Sequence, residues 1–302
     1  MIRSFAELVH LPTEATESLE GSFNTLLKSK DSFLLLLDAM DDYYCGDEAV
    51  CACKLQTASE QSGIHRYALN MLFLILCAKP LRYIYKQKGL PDQLYVDAMS
   101  DLKYKLLECK KIYGIWGTFV FEWFRGFYLC ERFQLGRLQY ERIPFPFDLN
   151  LYEGQIQKNT IVYNCHIPSS GDLTPASVIQ SLKKAYAFYR SELKQGILPV
   201  VCLSWILYPP FSSVFSEESN LKKFYKLFRI IHQYKEPENQ DFWRIFGQNY
   251  TTDSTQWAEE TQLQRKCKKY LLDGSCMGEG FGILLFDGNE ICSKNVSAEE
   301  RI

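Results

Sequence analysis

Residues 160–190 read TIVYNCHIPSSGDLTPASVIQSLKKAYAFYR, and the order of residue types within them decides the class of fold. Ile161, Val162 and Tyr163 are β-branched or aromatic and favour a strand. Pro168 ends that run because it has no N–H to give a ladder. A loop follows, Ser169-Ser170-Gly171-Asp172-Leu173, and then a strong helix start. Thr174 is a good cap, and Pro175 has its φ preset for a first helical turn. Val178, Leu182, Ala185, Tyr186 and Tyr189 then recur at helical spacing. The first turn of such a helix has backbone N–H groups without intrahelical partners, and their partial positive charge suits a phosphate. The same strand, loop and helix also serve structure alone in many α/β proteins. The loop here has neither a Walker pattern nor the three-glycine dinucleotide fingerprint, and Asp172 adds negative charge to it.

Upstream, residues 1–134 read as almost wholly helical. Thr13 or Thr16 caps a helix through Leu27, and Asp31 opens another with Phe33, Leu34, Leu37 and Met40 along one side. Glu48 to Gln61 is a third, stopped at Gly63. Ile64 to Tyr85 is long and apolar, with Pro80 expected to kink or break it. Gly89-Leu90-Pro91 is a stop followed by a start, and the next helix runs to about Tyr113. Phe119 to Phe133 is expected as one very aromatic helix.

Downstream, the texture changes at Gln134. Residues 136–143 alternate apolar and polar as a half-buried strand does, until Pro144 and Pro146 stop them. Strand 160–167 leads into helix 175–194, and residues 200–205 form a buried strand. A short helix capped by Ser219 or Asn220 and a strand over 228–234 follow. Residues 242–248 are ambiguous, 253–273 look helical, and 274–282 look like a loop before a last strand, 282–286. The expectation is an α+β chain with a helical domain over 1–134, a mixed α/β domain over 135–288 and a polar tail over 289–302.

Composition narrows the function. The 302 residues are 47% apolar and carry a net charge of -2, so no basic surface argues for nucleic acid. The first twenty residues carry charges and have no apolar core of signal-peptide length. The longest apolar run, Met71 to Ala78, is too short to span a bilayer. These features read as a soluble cytoplasmic protein with no membrane partner. The 11 cysteines are odd in number and scattered through regular elements, which argues for free thiols over a disulfide framework. No cysteine or histidine spacing suits zinc, so no metal site is expected.

A resemblance enters here. LGRLQYE at 135–141, HIPSSGDLTP at 166–175 and CLSW at 202–205 resemble a family of bacterial acyltransferase-domain proteins. LPDQLYVDAMSDLKYK at 90–105 and YGIWGTFV at 113–120 are similar to the N-terminal half of that family. Its members pair a helical N-acyltransferase N-terminal domain with a GNAT-like C-terminal domain. Relatives often carry a histidine before the Ser-Trp pair, where this chain has Leu203. The resemblance implies acyl transfer from acyl-coenzyme A, a co-substrate and not a permanently bound cofactor, to a small-molecule or peptide acceptor. The order of strand 160–167, loop and helix 175–194 matches the coenzyme A-binding part of a GNAT fold. The usual Gln/Arg-x-x-Gly-x-Gly/Ala phosphate loop is absent.

The chemistry asks for few groups. A thioester is already activated, so positioning supplies much of the rate. A general base takes a proton from the acceptor, and a donor helps the thiolate leave. Glu141 and His166 are the candidate bases; Tyr163, Ser204 or Tyr208 is the candidate donor. Ser169, Ser170, Gly171, Leu173 and Thr174 are the candidate coenzyme A-binding residues. Cys165 beside His166 makes no dyad, because adjacent strand residues point to opposite faces. A non-catalytic binding or scaffold protein with the same fold is the alternative that a degenerate phosphate loop permits.

Overall fold

The structure is a computed structural model, and it describes residues 1–152 and 156–292. Most of the tail expected over 289–302 therefore lies outside the described residues. The chain divides into two compact units, Met1–Phe133 and the part from Gln134 onward.

The first unit is built from α1 (Ile2–Val9), α2 (Thr13–Lys28), α3 (Lys30–Cys45), α4 (Glu48–Ser62), α5 (Arg66–Gln87), α6 (Asp92–Tyr113) and the short α7 (Arg125–Tyr128). Caps set several boundaries. The Asp47 carboxylate accepts the Val50 N–H at the start of α4, and Gly63 ends it in the left-handed region. Pro91 sits one place outside α6, as its N-cap. Two expectations are corrected, the first in its stronger form, a break at Pro80. Pro80 does not break α5, which continues to Gln87 with twelve buried residues around it. Tertiary packing of that apolar length outweighs one lost backbone bond. As a result α5 is long and apolar enough, by length and composition, to cross a membrane, although most of it lies buried as a core helix. The aromatic stretch before Phe133 is also not one helix. It is a 3₁₀ turn (Phe121–Phe124) and α7, closed by Cys130 at φ 57°.

β1 (Arg132–Leu135) spans the boundary between the units. The second unit then carries β2 (Leu138–Pro144), β3 (Ile161–His166), α8 (Pro175–Tyr189), β4 (Leu198–Ser204), α9 (Asn220–Tyr225), β5 (Arg229–Glu236), α10 (Phe242–Phe246), α11 (Gln262–Leu272) and β6 (Met277–Phe286). The sheet order is β1-β2-β3-β4-β6-β5. Of the expected helix over 253–273, only a 3₁₀ turn and α11 form. The expected loop over 274–282 shrinks to residues 274–276, and β6 begins at Met277. The glycines that suggested a loop serve packing. A Cβ on Gly280 would overlap the Leu207 carbonyl, and one on Gly278 would meet the Tyr208 ring at 2.8 Å.

One face of the sheet holds a core of Phe145, Val162, Val201, Phe281, Ile283 and Leu285. On the other, α8 packs on β2 and β3. Its buried Ser181 donates to the Leu135 carbonyl at 2.6 Å and meets the Tyr140 hydroxyl at 3.2 Å.

Candidate active site

β3 and β4 run parallel, and their register holds Tyr163 to Val200 and Asn164 to Val201. Beyond that point β3 continues to His166 and β4 to Ser204 with no paired residues between them. Each strand stays anchored on its outer side: β2 pairs with β3 up to His166, and β6 pairs with β4 up to Ser204. The opening is therefore local, a gap in mid-sheet bounded by Cys165–His166 and Cys202–Ser204. Unpaired backbone groups at such a gap are available to an extended ligand.

On the core face, at the edge of this gap, lies a polar cluster. The period-2 alternation puts Glu141 on the face of Ile143, and Asn164 and His166 on the face of Val162. Antiparallel register sets Glu141 opposite Asn164 and Gln139 opposite His166. His166 Nε2 lies 2.6 Å from Glu141 Oε1, and Asn164 Nδ2 donates to the same oxygen at 3.1 Å. An ionised carboxylate can only accept, so in this pair the His166 Nε2–H donates to Glu141 Oε1. The two side chains are each about four-fifths shielded from solvent, at 18% and 19% exposure. Asn164 Oδ1 is buried with no hydrogen-bond partner among the described residues. Sequence reasoning missed Asn164; its one visible signal was its place two residues before His166 on the same strand face.

The loop after β3 leads into α8, whose start is built as its residues suggest. The Thr174 hydroxyl accepts the Ser177 N–H at 3.2 Å, with Pro175 in the first turn. Gly171 sits at φ +67°, a left-handed conformation that glycine adopts without strain, and the space around its missing Cβ is open. Ser169, Gly171 and Asp172 are exposed, Ser170 and Thr174 half-buried, and Leu173 buried. The loop is also held from outside its own sequence: Arg137 donates to the Pro168 carbonyl at 2.9 Å and to the Asp172 carbonyl at 3.2 Å.

The remaining candidates fall elsewhere. Tyr163 is on the opposite face from His166, its ring 4.3 Å from that of Tyr189 of α8, and burial pushes its hydroxyl up to about 12. The structure does not bring it to Glu141 and His166. Ser204 accepts the Ile206 N–H at 3.2 Å, capping the 3₁₀ turn after β4. Tyr208 is buried behind β6, where burial raises its pKa. At the gap, Cys165 beside Cys202, together with burial, holds the Cys202 thiol well above its ordinary value. All eleven cysteines are free. Glu236, Asp241 and Glu279 bring carboxylate oxygens within 4.8 Å of one another, the one such group of metal-ligand types among the described residues.

A central parallel pair that parts in mid-sheet, followed by a loop and a capped helix, is the arrangement of a GNAT-like fold. Family models agree along almost the whole chain. Residues 2–130 match the N-acyltransferase N-terminal domain, and residues 132–284 match the GNAT-like C-terminal domain. The chain belongs to the family that carries this GNAT-like C-terminal domain. Among solved structures, an acyltransferase in complex with decanoyl-CoA is similar at 16% identity and a TM-score of 0.73, over 93% of this chain and 86% of that one. An acyltransferase mutant in complex with octanoyl-CoA gives 18% and 0.72, and an acyltransferase in complex with decanoyl-CoA and teicoplanin gives 17% and 0.70, with the same coverage. At such identity the likeness is one of fold. A comparison with curated proteins found no match.

Proposed function

We propose that this protein is an acyltransferase that moves an acyl group from acyl-coenzyme A to an amine or hydroxyl of a small-molecule or peptide acceptor. The observation that carries the reading is the Glu141–His166 pair, 2.6 Å apart at the edge of the gap between β3 and β4. The pantetheine arm would run along the gap, its amides meeting backbone groups that have no strand partner. The pyrophosphate would lie at Ser169, Ser170, Gly171, Leu173 and Thr174, against the first turn of α8. The acceptor's lone pair attacks the thioester carbonyl, its proton passes to the His166 ring with Glu141 balancing the charge, and the thiolate leaves. Tyr163 and Ser204 are engaged in packing and capping, so the weight of the chemistry falls on Glu141 and His166. The similar structures hold octanoyl- and decanoyl-CoA, and one also holds teicoplanin, which makes medium-chain acyl groups the first to try. We read the compartment as the bacterial cytoplasm, where free thiols stay reduced, with no permanently bound cofactor and no nucleic-acid or membrane partner.

The test is thermal unfolding with acetyl-, octanoyl- and decanoyl-CoA. A ligand at 100 times its dissociation constant adds about 2.7 kcal/mol of stability. Gly171→Asp puts negative charge in the loop and is expected to cut affinity tenfold or more, whereas Gly171→Asn, which shares its tolerance of positive φ, cuts it less. If millimolar acyl-CoA leaves the melting temperature unchanged, the reading fails and the non-catalytic alternative takes its place.

A further inference from the structure

We infer that Arg137 is the positioning residue of the coenzyme A loop, replacing from a distant hairpin the arginine or glutamine that the loop itself lacks. This rests on the acyl-coenzyme A reading above. Arg137 follows Gly136, which turns the chain between β1 and β2 at φ +82°. From there the guanidinium reaches across 31 and 35 residues of sequence to two carbonyls, Pro168 at the entry of the loop and Asp172 at its exit. The Asp172 carbonyl is held a second time by the Ser177 hydroxyl at 3.0 Å.

The consequence follows from peptide geometry. In a trans peptide the C=O of one residue and the N–H of the next point in opposite directions. Fixing the Pro168 and Asp172 carbonyls on Arg137 therefore turns the Ser169 and Leu173 N–H groups away from the arginine. Both belong to the stretch that leads into the first turn of α8, whose own N–H groups add to the field. The fork of a guanidinium can span two acceptors, and the point charge of a lysine cannot do so in a fixed geometry. Arg137 also sets a permanent positive charge beside the loop that carries Asp172, offsetting the charge that would otherwise repel a phosphate. SSGDLT on its own carries no cation; with Arg137 folded against it the loop has one.

The experiment measures binding of three ligands to the parent, Arg137→Ala and Arg137→Lys. Coenzyme A and dephospho-coenzyme A both contain the pyrophosphate and are titrated by calorimetry. S-acetylpantetheine contains no phosphate and is followed by NMR line broadening at millimolar concentration. Arg137→Ala is expected to weaken both nucleotide ligands at least tenfold and S-acetylpantetheine less than threefold, with Arg137→Lys between Ala and parent. Equal losses for all three ligands would mark a general structural role and overturn the assignment. So would an Arg137→Ala protein that binds coenzyme A as the parent does, or an Arg137→Lys protein indistinguishable from the parent. A parent that binds no coenzyme A would instead overturn the acyl-coenzyme A reading, and the assignment with it.

Discussion

Among the buried polar atoms that find no hydrogen-bond partner within the described residues, one in the helical unit and one in the sheet unit sit in opposite settings. In the helical unit it is the Tyr43 hydroxyl, fully buried among aromatic rings. Phe73 and Phe121 have ring centroids 5.3 Å from that of Tyr43, and Tyr128 lies at 5.5 Å. In the sheet unit it is Asn164 Oδ1, beside a carboxylate and an imidazole at the mouth of a gap between strands. An unpaired buried atom costs about 1–3 kcal/mol wherever it lies. The Tyr43 cost sits inside a core that many contacts stabilise. The Asn164 cost is borne next to titratable groups and unladdered backbone, where a ligand can relieve it. Charged neighbours and an opening, more than the orphan atom, mark the site.

Four measurements bear on that contrast. Phe73→Ala should be the most damaging, about 3–5 kcal/mol by chemical denaturation, since it removes a fully buried ring from the Tyr43 cluster. A loss below 1 kcal/mol would mean that cluster is not the core of the helical unit. His166→Ala should lower acyl transfer by about 10²-fold or more, the usual scale of a general base, with little change in stability. A large stability loss with intact turnover would reverse the roles given to the two regions.

Glu236 gives a smaller, pH-dependent effect. Burial, with Asp241 and Glu279 nearby, pushes its carboxyl up to about 7 from an ordinary 4.5. Between those values the folded state holds the proton that the unfolded state has lost, so stability falls as pH rises through the window and stays lower above it. Glu236→Gln should match the parent below pH 4.5 and exceed it above pH 7. Partial exposure keeps the gain on the order of 1 kcal/mol. Melting curves from pH 4 to 8 that run parallel for the two proteins would refute this. Smallest of all, Tyr43→Phe should cost nothing and gain about 1 kcal/mol, the low end of what an unpaired buried hydroxyl costs, because the hydroxyl is lost and the ring remains. A loss above 2 kcal/mol would show that the hydroxyl has a partner in solution.

Local patterns made much of this legible. Thr174-Pro175 marks a helix start in any context, and α8 begins there. Gly63 and Ser219 likewise mark ends that need only near neighbours. Legibility failed where distant packing overrode local preference. Pro80 breaks helices in isolation, but here it lies in a helix held by burial on most sides. Gly278, Gly280 and Gly282 suggest a loop in sequence, whereas in the fold they let the chain approach the β6 backbone closely.

By itself, then, the sequence determined a helical first half, a strand–loop–helix unit at 160–190, and a short set of groups able to carry acyl transfer. Those follow from periodicity, caps and side-chain chemistry, all properties of residues a few places apart. Tertiary structure alone decided which candidates meet. Glu141 and His166 are 25 residues apart in sequence and become neighbours only through the β2–β3 register, which carries Asn164 in with them. The same register keeps Tyr163 on the other face. Arg137 reaches the loop only because the β1–β2 turn folds beside it. Strand pairing is a long-range choice settled by the whole sheet, and no window of sequence holds enough of that sheet to reveal it.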